Sequence, residues 1–150
     1  MPLSSSVANR PGALLVIAAR TGQELARRRL APMGLSVQMC GVLIRLGEGP
    51  LSQHELGEQL GIDRTTVVEL IDDLERKGVV QRRRNPEDRR SYLLTLTPKG
   101  KIFQKRAAQA FDAAADDFFG PLSKTERTAM SDMLRRMILG ADRQLKESSA

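Results

Sequence analysis

Arginine dominates the part of this chain that could do chemistry. Arg76, Lys77, Arg82, Arg83, Arg84, Arg89 and Arg90 fall between residues 76 and 90, against only Glu87 and Asp88, a local charge of +5. The whole 150-residue chain carries +6, so the basicity is focused on this one segment. Focused positive charge is the footprint of a polyanion partner, and guanidinium groups suit phosphate oxygens through forked, charge-assisted hydrogen bonds. Just upstream, Arg64, Thr65 and Thr66 follow Asp63 at a helix start, where side chains can meet the edges of bases. Glu69 stands one turn further on, and a carboxylate there suits the amino group of cytosine N4. Ser52 and Gln53 open the preceding helix and join Arg64, Thr65, Thr66, Glu69, Arg82, Arg83, Arg84, Asp88, Arg89 and Arg90 as the candidate DNA-contacting set. The three arginines 82–84 alternate along a strand, so they cannot all face one way; one or two are expected on phosphates. Arg89 and Arg90 at the loop tip suit the negative potential of a narrow minor groove. Asp88 repels phosphate and is expected to orient a neighbouring arginine.

Covalent and metal chemistry find little support. His54 is the single histidine, has no cysteine cluster at ligand spacing, and is expected to be exposed on a capped helix. Nothing arranges Ser, His and Asp as a nucleophilic triad, and no glycine loop cradles phosphate. No enzyme activity, cofactor or metal is expected. Cys40 is the lone cysteine, so no internal disulfide is possible. It reads as a small core or pocket-lining residue, with a redox-sensing thiol as the alternative, which would need a lowered pKa and exposure. With only four Phe and one Tyr, the chain is poor in the aromatic platforms that hold single strands, which favours duplex DNA. The absence of a long apolar run and of a signal-like N-terminus points to a cytoplasmic protein with no membrane partner.

Elements that could position these residues are legible in the pattern. After a frayed start of six residues, apolar positions repeat helically from Gly12 to Leu30, and Pro32 and Gly34 end the run. Ser36 caps a second helix carrying Met39, Val42, Leu43 and Leu46. Ser52 with Glu55 forms a capping box, and that helix stops at Gly61. Asp63 caps the next, with Val67, Leu70, Ile71 and Leu74 as its core stripe and Gly78 as its stop. Val79–Arg84 and Ser91–Thr97 read as strands joined through Asn85-Pro86-Glu87-Asp88. Thr97-Pro98 opens a long helix with Phe103, Ala107, Ala110, Phe111, Ala114 and Phe118 along one side. Ser123 and Glu126 form a second capping box before a last helix bearing Met130, Met133, Leu134, Met137, Ile138, Ala141 and Leu145. The fold class is therefore mainly α with a small β-hairpin wing.

Laid out this way, the chain resembles the MarR family of bacterial transcriptional regulators over nearly its whole length. Asn85-Pro86-Glu87-Asp88-Arg89-Arg90-Ser91 running into Leu94-Thr95-Leu96-Thr97-Pro98-Lys99-Gly100 is similar to the family's D-x-R wing and L-T-x-x-G continuation. Asp72-Asp73-Leu74-Glu75-Arg76-Lys77-Gly78 resembles the end of its recognition helix, and Leu35-Ser36 with Val42-Leu43 its second-helix opening. The resemblance implies one domain over 1–150, with a winged helix-turn-helix lobe at 35–100 and dimerisation helices at 7–34 and 101–147. It also implies a homodimer on double-stranded DNA, usually a repressor, released by a small, often aromatic ligand in a cleft between base and lobe. Met39, Cys40 and Leu43 are the pocket candidates. Leu14, Leu15, Phe111, Phe118, Met130, Leu134, Met137 and Ile138 are the dimer-interface candidates; an intramolecular bundle would bury the same stripes. A rival of another kind is an architectural protein that binds any duplex alike. Two departures from the family stand out: Glu69 lies where relatives often carry a base, and Val68 where Thr or Ser is frequent.

Overall fold

The computed structural model describes residues 4–147. They form two compact units that meet between Ala115 and Asp116. The first holds α1 (Ser5–Ala8), α2 (Pro11–Leu30), a 3-10 turn (Ala31–Met33), α3 (Val37–Glu48), α4 (Gln53–Leu60), α5 (Arg64–Arg76), β1 (Val80–Arg84), β2 (Tyr92–Leu96) and most of α6 (Pro98–Phe118). The second holds the end of α6 and α7 (Lys124–Glu147). Residues 5–8 are helical where the sequence suggests fraying; residues 1–3 lie outside the described part. Among the described residues no single helix is long and apolar enough to cross a membrane.

The caps read from sequence are in place. Ser36 Oγ accepts from the Met39 amide at 3.0 Å, satisfying one of the donors that α3 leaves unpaired. At the start of α4, Glu55 Oε2 accepts from the Ser52 amide at 2.8 Å, and Ser52 Oγ accepts from the Glu55 amide at 3.2 Å. Ser123 and Glu126 make the same reciprocal pair before α7, at 2.7 and 3.2 Å. Between α4 and α5, Gly61 adopts φ +63, the left-handed conformation that lets the chain reverse without a Cβ clash.

One core runs through the first unit. Leu43, Leu46, Leu56, Val67, Ile71, Leu74, Val79 and Leu94 are all buried in it, with Phe103, Ala107, Ala110 and Phe111 of α6 packed alongside. The stripes of α3, α4 and α5 converge here because each repeats at three and four residues, placing its apolar side chains on one face. The wing strands pair antiparallel, Val80 opposite Leu96 and Arg84 opposite Tyr92. Leu51 adds an isolated bridge to Leu94, tying the α3–α4 connection to the wing (N···O 2.7 and 3.3 Å), a contact the sequence reading lacked.

The Leu96-Thr97-Pro98-Lys99-Gly100 run docks α6 onto the end of α5. Thr97 Oγ1 donates to the Gly78 carbonyl at 2.7 Å and accepts from the Gly100 amide at 2.9 Å. Lys99 Nζ donates to the Lys77 carbonyl at 2.8 Å. Gly100 is buried, and a Cβ built on it would lie 1.8 Å from the Val79 carbonyl oxygen. Only glycine permits that approach.

In the second unit, Arg127 joins the turn to α7, donating to Asp116 at 3.0 Å and to the carbonyls of Phe119 and Leu122. The Phe118 and Phe119 rings meet edge to face, 5.2 Å between centroids. The expected apolar stripe of α7 is not buried: Met137 is 53% and Ile138 66% exposed, and Met130 and Leu134 are half-buried.

Candidate nucleic-acid interface

α5 is fastened at its start by Asp63, whose carboxylate accepts from the Thr66 amide at 3.0 Å and the Thr66 hydroxyl at 2.7 Å. These bonds hold the Asp63 carboxyl below its ordinary range, the hydroxyl bond being the larger cause. They also commit Thr66 to the cap. At 100° per residue, the buried stripe Val67, Leu70, Ile71 and Leu74 puts Thr65, Glu69, Asp72 and Arg76 on the opposite, outer face. All four are exposed, as is Arg64.

The wing is joined to α5 by Arg82. Its guanidinium pairs with Glu75 and, at 2.8 Å, with Asp72, while its amide donates to Glu75 Oε1 at 3.1 Å. With one or two of the three arginines 82–84 expected on phosphates, Arg82 is the one turned to the protein. Arg82 is 27% exposed and spends its donors on the helix behind it. The signal for this clamp was present in the sequence as two acids, Asp72 and Glu75, three residues apart on one side of the helix, but the register that brings Arg82 to them is tertiary.

Arg84 is also engaged. It donates to the Arg89 carbonyl at 2.8 Å, and its guanidinium carbon lies 5.6 Å from the centre of the Tyr92 ring opposite. Asp88 does not orient a guanidinium. Its side chain accepts from the Arg90 amide at 3.0 Å, and its carbonyl accepts from the Ser91 amide and hydroxyl, so it shapes the wing-tip turn through the backbone. Asn85 completes the turn, accepting from the Glu87 amide and donating to Ser91 Oγ. Arg83 donates through Nε and Nη2 to the Gln81 side-chain oxygen, each at 3.0 Å. The guanidinium groups of Arg64, Arg89 and Arg90 make no bond with any described residue and are exposed.

The Ser52 hydroxyl is spent on its capping box. Gln53 has a buried amide nitrogen without a partner. His54 is exposed, 3.7 Å from Glu58.

A groove of about 970 Å³ runs between α2 and the first turn of α3. Ile17, Leu25 and Val37 give it apolar walls, with Arg20, Arg27 and Arg28 among its cations. Glu24 clasps Arg27 and Arg28, both at 2.7 Å, and these bonds pull its carboxyl down to about 2. The groove touches α3 at Ser36, Val37 and Gln38 and not at the expected Met39, Cys40 and Leu43. Cys40 and Leu43 point into the core instead and are fully buried. The Cys40 thiol donates to the Ala107 carbonyl at 3.6 Å; burial, with Asp112 adding, pushes its pKa up to about 11. Those surroundings suppress the thiolate that oxidation requires.

A capped helix, a glycine turn, a second helix and a β-hairpin behind it make this a winged helix-turn-helix protein. Residues 33–91 match the sequence profile of the MarR family. A Thauera aromatica protein assigned to transcriptional regulation of the hcr operon is 33% identical over 116 residues, 77% of this chain and 70% of that one. The chain spans 53% and 52% of the next curated relatives, from Bacillus subtilis and Escherichia coli. Among solved structures, CouR from Rhodococcus jostii RHA1 bound to p-coumaroyl-CoA is similar with a TM-score of 0.80 and 29% identity, over 89% of this chain and 95% of that one. An E. coli MarR variant in complex with operator DNA shares the fold at a TM-score of 0.75 and 23% identity, over 84% and 91% of the two chains. The chain belongs to the MarR family of transcriptional regulators.

Proposed function

We propose that this chain acts as a cytoplasmic homodimeric repressor that reads a pseudo-palindromic operator in double-stranded DNA and leaves it when a small aromatic ligand binds. The observation that carries this reading is the set of uncommitted groups: Thr65 and Glu69 on the outer face of α5, Arg64 at its start, and Arg89 and Arg90 at the wing tip. A helix face free of internal bonds suits base edges in the major groove, and free guanidinium groups suit phosphates and the minor groove. Arg83 is the remaining phosphate candidate on β1. Gln53, with its buried unpartnered amide, and Ser52 stand at the start of α4, where helix-turn-helix proteins meet the backbone.

Dimer formation accounts for the apolar surface the protomer leaves open. In the second unit Met133, Met137, Ile138, Leu139 and Leu145 are exposed, and in the first Leu15, Val16 and Ile102. Leu14 and Phe111 of the first unit, and Phe118, Met130 and Leu134 of the second, are half-buried. Apolar side chains left exposed on each unit mark an association site, and two-fold pairing would set two reading heads on one palindrome. The groove between α2 and α3, apolar with a cationic rim, suits an aromatic acid or its thioester. That CouR holds p-coumaroyl-CoA on a similar fold supports this ligand class.

Binding of a labelled duplex from the region upstream of the regulated gene, with sedimentation of the same sample, tests the reading. Wild type should sediment as a dimer and prefer its operator over random duplex by about a thousandfold or more. Ile138→Asp would bury an unpaired charge at the interface, giving monomers that bind weakly. A monomer that bound a palindrome tightly, or equal binding to random DNA, would sink it.

A further inference from the structure

Glu69 is the one acid of α5 that nothing neutralises. From Asp63 to Lys77 there are five acids and three bases. Asp63 is held by Thr66, Asp72 and Glu75 by Arg82, and Asp73 by Arg76. Glu69 is exposed and bonds to no described residue. It sits one turn beyond Thr65, in the middle of the outer face. A bare carboxylate is a poor choice for a surface that approaches phosphates, because it repels them within a Debye length of about 8 Å. It is well suited to a base edge that presents only a donor.

We propose that Glu69 is a specificity-determining residue that reads a cytosine amino group in each operator half-site. Cytosine offers N4–H₂ to the major groove with no acceptor on the same base beside it. Adenine offers N6–H₂ next to the acceptor N7, which opposes the second carboxylate oxygen. Guanine presents N7 and O6, and thymine O4, all acceptors that repel Glu69. The same carboxylate therefore rewards one base and penalises the others, and it weakens binding to any duplex that lacks the cytosine. The Arg82 clamp has a part in this, since its one charge is shared by Asp72 and Glu75, offsetting half of theirs, and Glu69 is left as the acid of α5 without a bonded partner among the described residues.

The inference rests on α5 entering the major groove. Its test is selection of preferred sequences from a random duplex pool by wild type, Glu69→Ala, Glu69→Gln, Arg64→Ala and Thr65→Ala. Wild type should select a fixed cytosine per half-site. Glu69→Ala should lose preference at that position alone, by about 10-fold or more, and bind random duplex more tightly than wild type. Glu69→Gln should shift the preference to adenine, which a carboxamide meets at N6 and N7 together. Selection by Glu69→Ala of the wild-type sequence, with Arg64→Ala or Thr65→Ala selecting a different one, would overturn the role of Glu69 and leave the groove reading standing. Wild-type sequences from all four variants would overturn the groove reading itself.

Discussion

Replacing Arg82 by Met keeps the aliphatic stem of the side chain and removes its charge and donors. The amide bond to Glu75 survives; the guanidinium bonds to Glu75 and Asp72 do not. The three side chains are 27%, 30% and 51% exposed, so water competes for every one of these groups. Exposed ion pairs contribute about 0.2–1 kcal/mol each, so these two pairs should give about 0.4–2 kcal/mol of stability. On DNA the substitution uncovers two carboxylates on α5 and removes one positive charge from its surroundings. That should weaken operator binding by on the order of 1 kcal/mol, roughly fivefold. The decisive readout is the salt dependence. Arg82 donates to protein carboxylates, so Arg82→Met should leave the log–log slope of affinity against salt unchanged. Arg90→Ala, which removes a free guanidinium, should weaken binding by about 1–3 kcal/mol and flatten the slope by about one. Anisotropy titrations between 50 and 200 mM salt (roughly the working range of that law) measure both. A flattening of about one for Arg82→Met would refute the reasoning, because Arg82 would then leave its clamp and contact a phosphate.

Three further outcomes follow from the geometry. Gly100→Ala places a methyl group against the Val79 carbonyl and should cost about 1–3 kcal/mol or more, read by urea unfolding; a variant as stable as wild type would mean that α6 shifts freely at its start. Ser52 holds Glu55, and Thr66 holds Asp63, below their unfolded values of 4.5 and 3.8, so the stability these bonds give is complete above those values and is lost as pH falls through the lower folded ones. Ser52→Ala should accordingly cost about 1 kcal/mol at neutral pH and less at pH near 3, and an equal cost at both would contradict the charged cap. Native Cys40 should resist alkylation and peroxide until the lobe unfolds, and rapid modification in the folded protein would reinstate a thiol sensor.

Local chemistry made much of this protein readable before any coordinates. Ser36, Ser52, Asp63 and Ser123 announce helix starts because a short polar side chain satisfies donors within its own next turn, which needs no distant partner. Gly61 and Gly78 mark stops for a similarly local reason. The turn-rich Asn85-Pro86-Glu87-Asp88 between Val79–Arg84 and Ser91–Thr97 gives the wing, within a residue of the strands' ends, and the concentration of arginine gives its electrostatic character. What the tertiary structure decided is which of those arginines remain available. Arg82, Arg83 and Arg84 are identical in type and adjacent in the chain, yet one is clamped by Asp72 and Glu75, one lies beside Gln81, and one folds over Tyr92 to the wing tip. The same holds for Asp88, which serves a backbone turn, and for Cys40 and Leu43, which face the core while the groove opens a turn earlier on α3. Caps and turns depend on neighbours three or four residues away, whereas the partner of a charged side chain depends on strand register and helix docking, set by long-range burial of apolar side chains throughout the lobe.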